Sequence, residues 1–302
     1  VLLFAAPLLS AAPPLGVYQG GGCDGVKRLP VFSGWFGRPP DLALDFFATN
    51  SWDALVSSAD WSIICWEPTG LSMSFSIPML PQVADANLAD GAAGRYDATF
   101  TRIARTLVNH GFAGAALRIG WEFNGGWYPW AAGKDPASWV AYWRRIVTVM
   151  RAVPGARFRF DWNPALGKLG LAPDSVYPGD EYVDVIGLDV YNQSWTTPMP
   201  APEQRWLELL NQPYGLQWHR DFALAHGKPV SFPEWGTGTR PDGRGGGDDP
   251  VFVERMADWI AASHLAYHAY WDYPAGDYNA RLSDGHQPEA GAAFLRRFGG
   301  PM

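Results

Sequence analysis

Residues 117–130 read LRIGWEFNGGWYPW: a short apolar run delivers Glu122, Asn-Gly-Gly follows, and Trp127, Tyr128 and Trp130 crowd beside it. A second glutamate, Glu234, closes the run PVSFPEW and also has an indole neighbour, Trp235. Either glutamate alone reads as readily as a salt-bridge or capping residue. As a pair, both beside tryptophan, they suit a reaction that needs one protonated and one ionised carboxyl group, as glycoside hydrolysis does. One would protonate the leaving oxygen while the other attacks the anomeric carbon. The aromatics fit the same chemistry, because a sugar ring presents apolar C–H faces that pack on indole. Trp127, Tyr128 and Trp130, in a loop bounded by Gly and Pro, are therefore expected to wall a binding cleft.

Two segments so far apart in sequence need a scaffold that brings strand ends together. Strand-like runs fall at Leu15–Tyr18, Ser62–Trp66, Ser72–Ile77, Ala115–Gly120, Phe158–Asp161, Val183–Leu188, Pro229–Phe232 and His268–Trp271, with helical periodicity between them. After Asp135-Pro136, an N-cap and first-turn pair, Trp139, Trp143, Val147 and Met150 share one face. After Asp249-Pro250 the stripe is Phe252, Met256, Trp259 and Ile260. Further helices are expected over Pro40–Ser57, Tyr96–His110, Pro202–His226 and Glu289–Phe298. Eight strands alternating with helices predict an α/β fold, a single (β/α)8 TIM barrel over residues 15–302. The alternative is a doubly wound sheet. Gln19-Gly20-Gly21-Gly22 follows the first strand, but it lacks the dinucleotide-binding spacing and is expected to open no helix. Gly243–Gly247 is read as a surface loop after the seventh strand.

Chemistry in such barrels lies at the C-terminal ends of the strands. By that filter the second strand offers Glu67, the fourth Glu122, the fifth Asp161, the sixth Asp189 and Tyr191, the seventh Glu234, and the eighth Trp271-Asp272. A rim this rich in acids is poor for stability, since crowded carboxylates repel and desolvation raises their pKa values.

Residues 118–130 resemble the acid/base segment of glycoside hydrolase family 26, best known for β-mannanases. Three more segments agree: YVDVIGLDVYN at 182–192, KPVSFPEWG at 228–236 and Trp162-Asn163-Pro164. The resemblance implies a retaining (β/α)8 glycosidase with Glu122 as acid/base and Glu234 as nucleophile. It makes Tyr191 a partner of the nucleophile, Arg118 the residue that orients the carboxylates, and Trp271 the floor of the cleaved-sugar subsite. Trp121, Asn124, Trp127 and Trp130 join these as expected substrate-binding residues, with Asn163 and Trp235. One position departs from the pattern. The family usually places His directly before the acid/base, and many clan relatives Asn, whereas here Trp121 can donate one hydrogen bond but accept none. That change bears on mannan specificity and leaves the two-glutamate chemistry intact.

The bulk numbers narrow the partners. Among 302 residues are 16 Trp, 12 Tyr and 16 Phe, more than a core alone normally uses. A net charge of −7 without a dense basic stretch argues against nucleic acid and electrostatic membrane binding. No stretch reads as a membrane span. The expected partner is a polysaccharide or oligosaccharide, and the chain is expected to be a monomer. No metal or cofactor is expected: His264 and His268 lack a third ligand, and Asp248-Asp249 reads as a solvated turn. The first 23 residues carry no charge, and Val1–Leu9 followed by Ser10-Ala11-Ala12 has the form of a signal-peptide remnant over residues 1–14. An ordinary apolar segment is the alternative. Export, to the periplasm or outside the cell, would allow Cys23 and Cys65 to pair, although separate buried thiols fit nearly as well. The activity expected is endo-hydrolysis of β-mannan or β-glucan. A bacterial exopolysaccharide as substrate, or a non-catalytic sugar-binding barrel, are the alternatives.

Overall fold

The computed structural model describes residues 13–299. Along the chain run β1 (Leu15–Tyr18), α1 (Gly22–Phe36), β2 (Leu42–Phe46), α2 (Trp52–Trp66), β3 (Ser72–Ile77), α3 (Leu88–Ala92), α4 (Asp97–Asn109), β4 (Ala116–Ile119), α5 (Pro136–Arg151), β5 (Arg159–Trp162), β6 (Val185–Gly187), β7 (Val190–Asn192), α6 (Pro202–Asn211), α7 (Leu216–Ala225), β8 (Val230–Thr237), α8 (Pro250–Ala261), β9 (Leu265–Trp271) and α9 (Pro288–Phe298). Every strand pairing between these elements is parallel, β9 returns to β1, and β6 and β7 both pair with β8. β6 and β7 are one barrel position broken at Leu188-Asp189, so the sheet closes as an eight-stranded (β/α)8 barrel. Among the described residues no helix is long and apolar enough to cross a membrane.

The expected helix stripes are the ones that pack. Asp135 caps α5 by accepting from the Ser138 amide at 3.1 Å, and Trp139, Trp143, Val147 and Met150 are buried. Asp249 caps α8 in the same way, through the Val251 and Phe252 amides.

Several boundaries differ from the sequence reading. Ser62–Trp66 is not a strand but the end of α2, where Leu55, Ala59, Ser62, Ile63 and Trp66 form one buried helical face capped by Ser51. The true second strand, β2, lies inside the expected helix Pro40–Ser57; its first four residues are buried, which erases the alternation that marks a half-exposed strand. Glu67 therefore ends no strand. It sits exposed in a 3₁₀ turn after α2, where the His110 ring bonds it at 2.9 Å. A helix does open at Gly22: α1 contains Pro30, and Gly25 is required there because a Cβ would meet the Gly20 carbonyl oxygen at 2.1 Å. The expected helix Pro202–His226 is two, broken at Pro213-Tyr214. Cys23 at the start of α1 and Cys65 at the end of α2 form a disulfide with Cα atoms 4.9 Å apart. Gly243–Gly247 lies in the β8–α8 connection. The proposed signal remnant falls on residues of which 1–12 lie outside the described range.

Candidate active site

Arg118 points into the barrel from β4, fully buried, and gathers the site around itself. Its Nη2 donates to Asp189 Oδ2 and to Glu234 Oε1, each at 2.7 Å. Its Nε donates to Asn163 Oδ1 at 2.6 Å and its Nη1 to Ser76 at 2.9 Å. Burial works against the guanidinium charge, but the carboxylates of Asp189 and Glu234 outweigh it and raise the pKa. Asn163 also donates to Asp189 at 3.2 Å, so donors and acceptors close on one another. A cation on a β4 side chain thus fixes side chains from β8 and from the β6–β7 kink.

Glu234 sits in β8 and is only 6% exposed. Besides Arg118 it accepts from the Tyr191 hydroxyl at 2.8 Å. The ring of Tyr191 packs on Tyr278 at 4.8 Å and meets Trp271 edge-on at 6.2 Å. Trp271, at the end of β9, stacks on Tyr18 at 4.2 Å, and Phe46 closes on both edge-to-face. Asp272 accepts from the Leu282 and Ser283 amides and from Gln19, which anchors the loop after β9 rather than presenting its carboxylate to the rim.

Glu122 arrives by a strained route. Gly120 has φ +55°, and a Cβ there would meet the Met79 sulfur at 2.5 Å. Glu122 itself has φ +52°, a left-handed conformation that costs a residue bearing a side chain about 1–2 kcal/mol. Its amide bonds the Asn163 carbonyl at 2.8 Å, and its carbonyl accepts from Gly125 at 3.0 Å. Two buried side chains then lock the loop. The Asn124 amide clamps Ala165 and Gly167 backbone, and the Trp130 indole donates to the Trp121 carbonyl at 2.9 Å. The Trp127 ring lies over Gly125, its far edge 2.3 Å from where a Cβ would be, so a side chain there would displace that ring. That ring is 54% exposed, and its Nε1 donates to Glu122 Oε2 at 3.0 Å.

The two glutamates therefore sit in opposite surroundings. Glu234 is held by a guanidinium and a phenol. Glu122 is half-buried with an indole donor, and burial, then the charge of Glu234, push its pKa up to about 8. Deeper in the barrel, Asp161 lies below the rim, accepting from Ser231 and Tyr267 at 2.6 Å, with burial raising its pKa to about 6. Beside Trp127 and Tyr128 runs a groove of about 580 Å³, bounded across by residues 80–83 of the β3–α3 connection and by Leu88 and Ala89 at the start of α3.

Of the expected site residues, Glu122, Glu234, Arg118, Asn163, Tyr191, Trp127 and Trp271 converge. Four do not present a side chain to the cleft. Trp235 is fully buried against Phe252, Phe294 and His268, because neighbours on a strand point to opposite faces and Glu234 takes the inner one. Asn124 spends its amide on backbone, Trp130 is buried under Tyr128, and Trp121 is 4% exposed. Tyr18 and Phe46 join the site unannounced. Tyr18 ends a strand that was readable, whereas Phe46 ends the strand hidden inside an expected helix.

Comparison with known proteins shows what the chain is similar to. A family model described as glycosyl hydrolase family 26 matches residues 95–201, a span that holds Arg118, Glu122, Asn163 and Tyr191. Endoglucanase H of Acetivibrio thermocellus is 26% identical over 280 residues, which are 87% of this chain and 28% of that protein. The chain thus spans little more than a quarter of that relative's length. Among solved structures, the mannanase BCman of Bacillus subtilis superposes with a TM-score of 0.65 at 18% identity, over 93% of this chain and 87% of that one. A modular endo-β-1,4-mannanase from Cellulomonas fimi gives 0.65 at 20% identity, over 94% and 71%. With the barrel and the sequence match in agreement, the chain is similar to glycosyl hydrolase family 26, as a divergent relative.

Proposed function

We propose that this protein is a secreted, retaining, endo-acting β-glycoside hydrolase that cuts a β-linked polysaccharide of the mannan or glucan type. The observation that carries the mechanism is the contrast between the glutamates: Glu234 accepts from Arg118 and Tyr191, while Glu122 is desolvated and its pKa is pushed up to about 8. A carboxyl group protonated at neutral pH is the general acid, and a charge-held, aligned carboxylate is the nucleophile. In the first step a Glu234 oxygen bonds to the anomeric carbon as the bond to the leaving oxygen breaks, and the Glu122 proton goes to that oxygen. In the second, water attacks the same carbon, returns a proton to Glu122 and releases Glu234.

Trp271 supplies the apolar floor for the sugar, and Trp127 flanks it while orienting Glu122. The substrate class draws on the names of the relatives, an endoglucanase and an endo-β-1,4-mannanase. Export draws support from the Cys23–Cys65 disulfide, which persists in oxidising compartments. The test is hydrolysis of a β-mannan, a β-1,4-glucan and a mixed-linkage β-glucan, with products sized. One of these should yield short oligosaccharides, and Glu234→Ala and Glu122→Ala should each abolish their release. No release from any of the three by the unaltered protein, with oligosaccharide binding intact, would make it a sugar-binding barrel.

A further inference from the structure

Tyr128 has a hydroxyl that the mechanism above leaves unused. Its ring is fixed on three sides: stacked on Trp130 at 4.4 Å and 11°, edge-on to Trp121 at 5.1 Å, and beside Trp127 at 6.3 Å. Its hydroxyl oxygen accepts from the Trp121 indole N–H at 3.1 Å. An indole can only donate, so this bond fills a lone pair and leaves the phenol proton free for another acceptor. Among the described residues Trp121 is the one hydrogen-bond partner of that hydroxyl, and neither glutamate accepts from it. Yet the phenol lies close enough to Glu122 and Glu234 for their charges, after burial, to raise its pKa, so the proton stays on at any working pH. Tyr128 also lines the 580 Å³ groove that borders the site. The arrangement is a neutral donor, held by its stacked ring and without a protein acceptor, in the same aromatic wall as Trp127, whose indole bonds Glu122. A sugar hydroxyl is the chemical partner that completes it.

We propose that the Tyr128 hydroxyl is a specificity-determining hydrogen-bond donor to a hydroxyl of the sugar at the cleavage point, held in aim by Trp121. This rests on the hydrolase reading and names the contact that selects among sugars. A site built to pair a donor with a substrate hydroxyl discriminates against a substrate lacking the matching oxygen, because once the bound sugar excludes water the donor is left unsatisfied. The contact differs from one made through Trp121 itself, whose N–H is already engaged.

The experiment compares wild type and Tyr128→Phe on an aryl β-glycoside and its monodeoxy series. Phenylalanine keeps the ring stacked on Trp130 and removes the hydroxyl alone. On the parent glycoside Tyr128→Phe should lose about ten- to a hundredfold in kcat/KM. One monodeoxy substrate should cost the wild type a similar factor and cost Tyr128→Phe nothing more. The alkaline limb of the pH profile, set by Glu122, should stay where it is, which separates a sugar contact from an effect on the acid. Equal rates for both proteins on the parent, or equal deoxy penalties in both, overturn the proposal while leaving the hydrolase reading intact. A wild type that cleaves neither these glycosides nor any polysaccharide overturns both.

Discussion

Glu122→Gln should make the protein more stable at neutral and alkaline pH while removing its acid. Glu122 has its pKa raised from 4.5 to about 8 by burial and by the charge of Glu234. The folded state therefore holds this proton more tightly than the unfolded chain does. The sign follows: nothing is lost below pH 4.5, and stability falls as pH rises from there until the folded group ionises near 8. For a fully enclosed carboxyl the loss by pH 7 would be about 3 kcal/mol. Glu122 is half-buried, and solvent at the rim reduces this to about 1–2 kcal/mol. Glutamine is isosteric, carries no charge, and still offers an oxygen to the Trp127 indole. Urea unfolding at pH 4, 7 and 9 should then give equal stabilities at pH 4 and a gap in favour of the variant that widens to pH 9. Parallel curves at all three values would refute the reasoning, since they would mean that Glu122 is solvated and ionises normally. On the wild type, kcat/KM for a substrate with a poor leaving group should fall tenfold per pH unit above about 8.

Other outcomes follow from the same structure. Replacing Cys23 and Cys65 by Ser should cost about 4 kcal/mol in unfolding free energy, because the bridge closes a separation of 42 residues; a reductant titration of the wild type should reproduce the loss. Trp235→Ala should cost about 3–5 kcal/mol of stability with KM unchanged in the protein that folds, since the ring faces the helices. Trp127→Ala should do the reverse, raising KM and lowering kcat with little change in melting temperature, since the ring is half in solvent.

The candidate site was legible because it lies where the barrel rule says to look. Glu122 and Glu234 follow short apolar runs that become β4 and β8, and no packing detail was needed to pair them. The misplacements have physical causes. LALDF, which becomes β2, is buried at its first four positions and shows no period of two, so a helix pattern absorbed it and Phe46 went unseen. SIICW continues the buried face of α2, and a short apolar run cannot be told from a strand by hydropathy alone. Trp235 could have been excluded by alternation with Glu234. Asn124 and Trp130 could not, because whether a loop residue faces solvent or its own backbone depends on the fold of that loop, here locked onto Ala165 and Trp121. The bond from Trp121 to Tyr128 is of the same kind: seven residues apart in sequence, it exists only because the Asn-Gly-Gly turn folds back.

Retention of configuration is the outcome on which the two-glutamate mechanism stands or falls. Proton NMR of a β-linked oligosaccharide during hydrolysis, read before mutarotation, should show the β-anomer of the new reducing end accumulating first. An α-anomer appearing first would mean direct displacement by water and would remove Glu234 from the role of nucleophile.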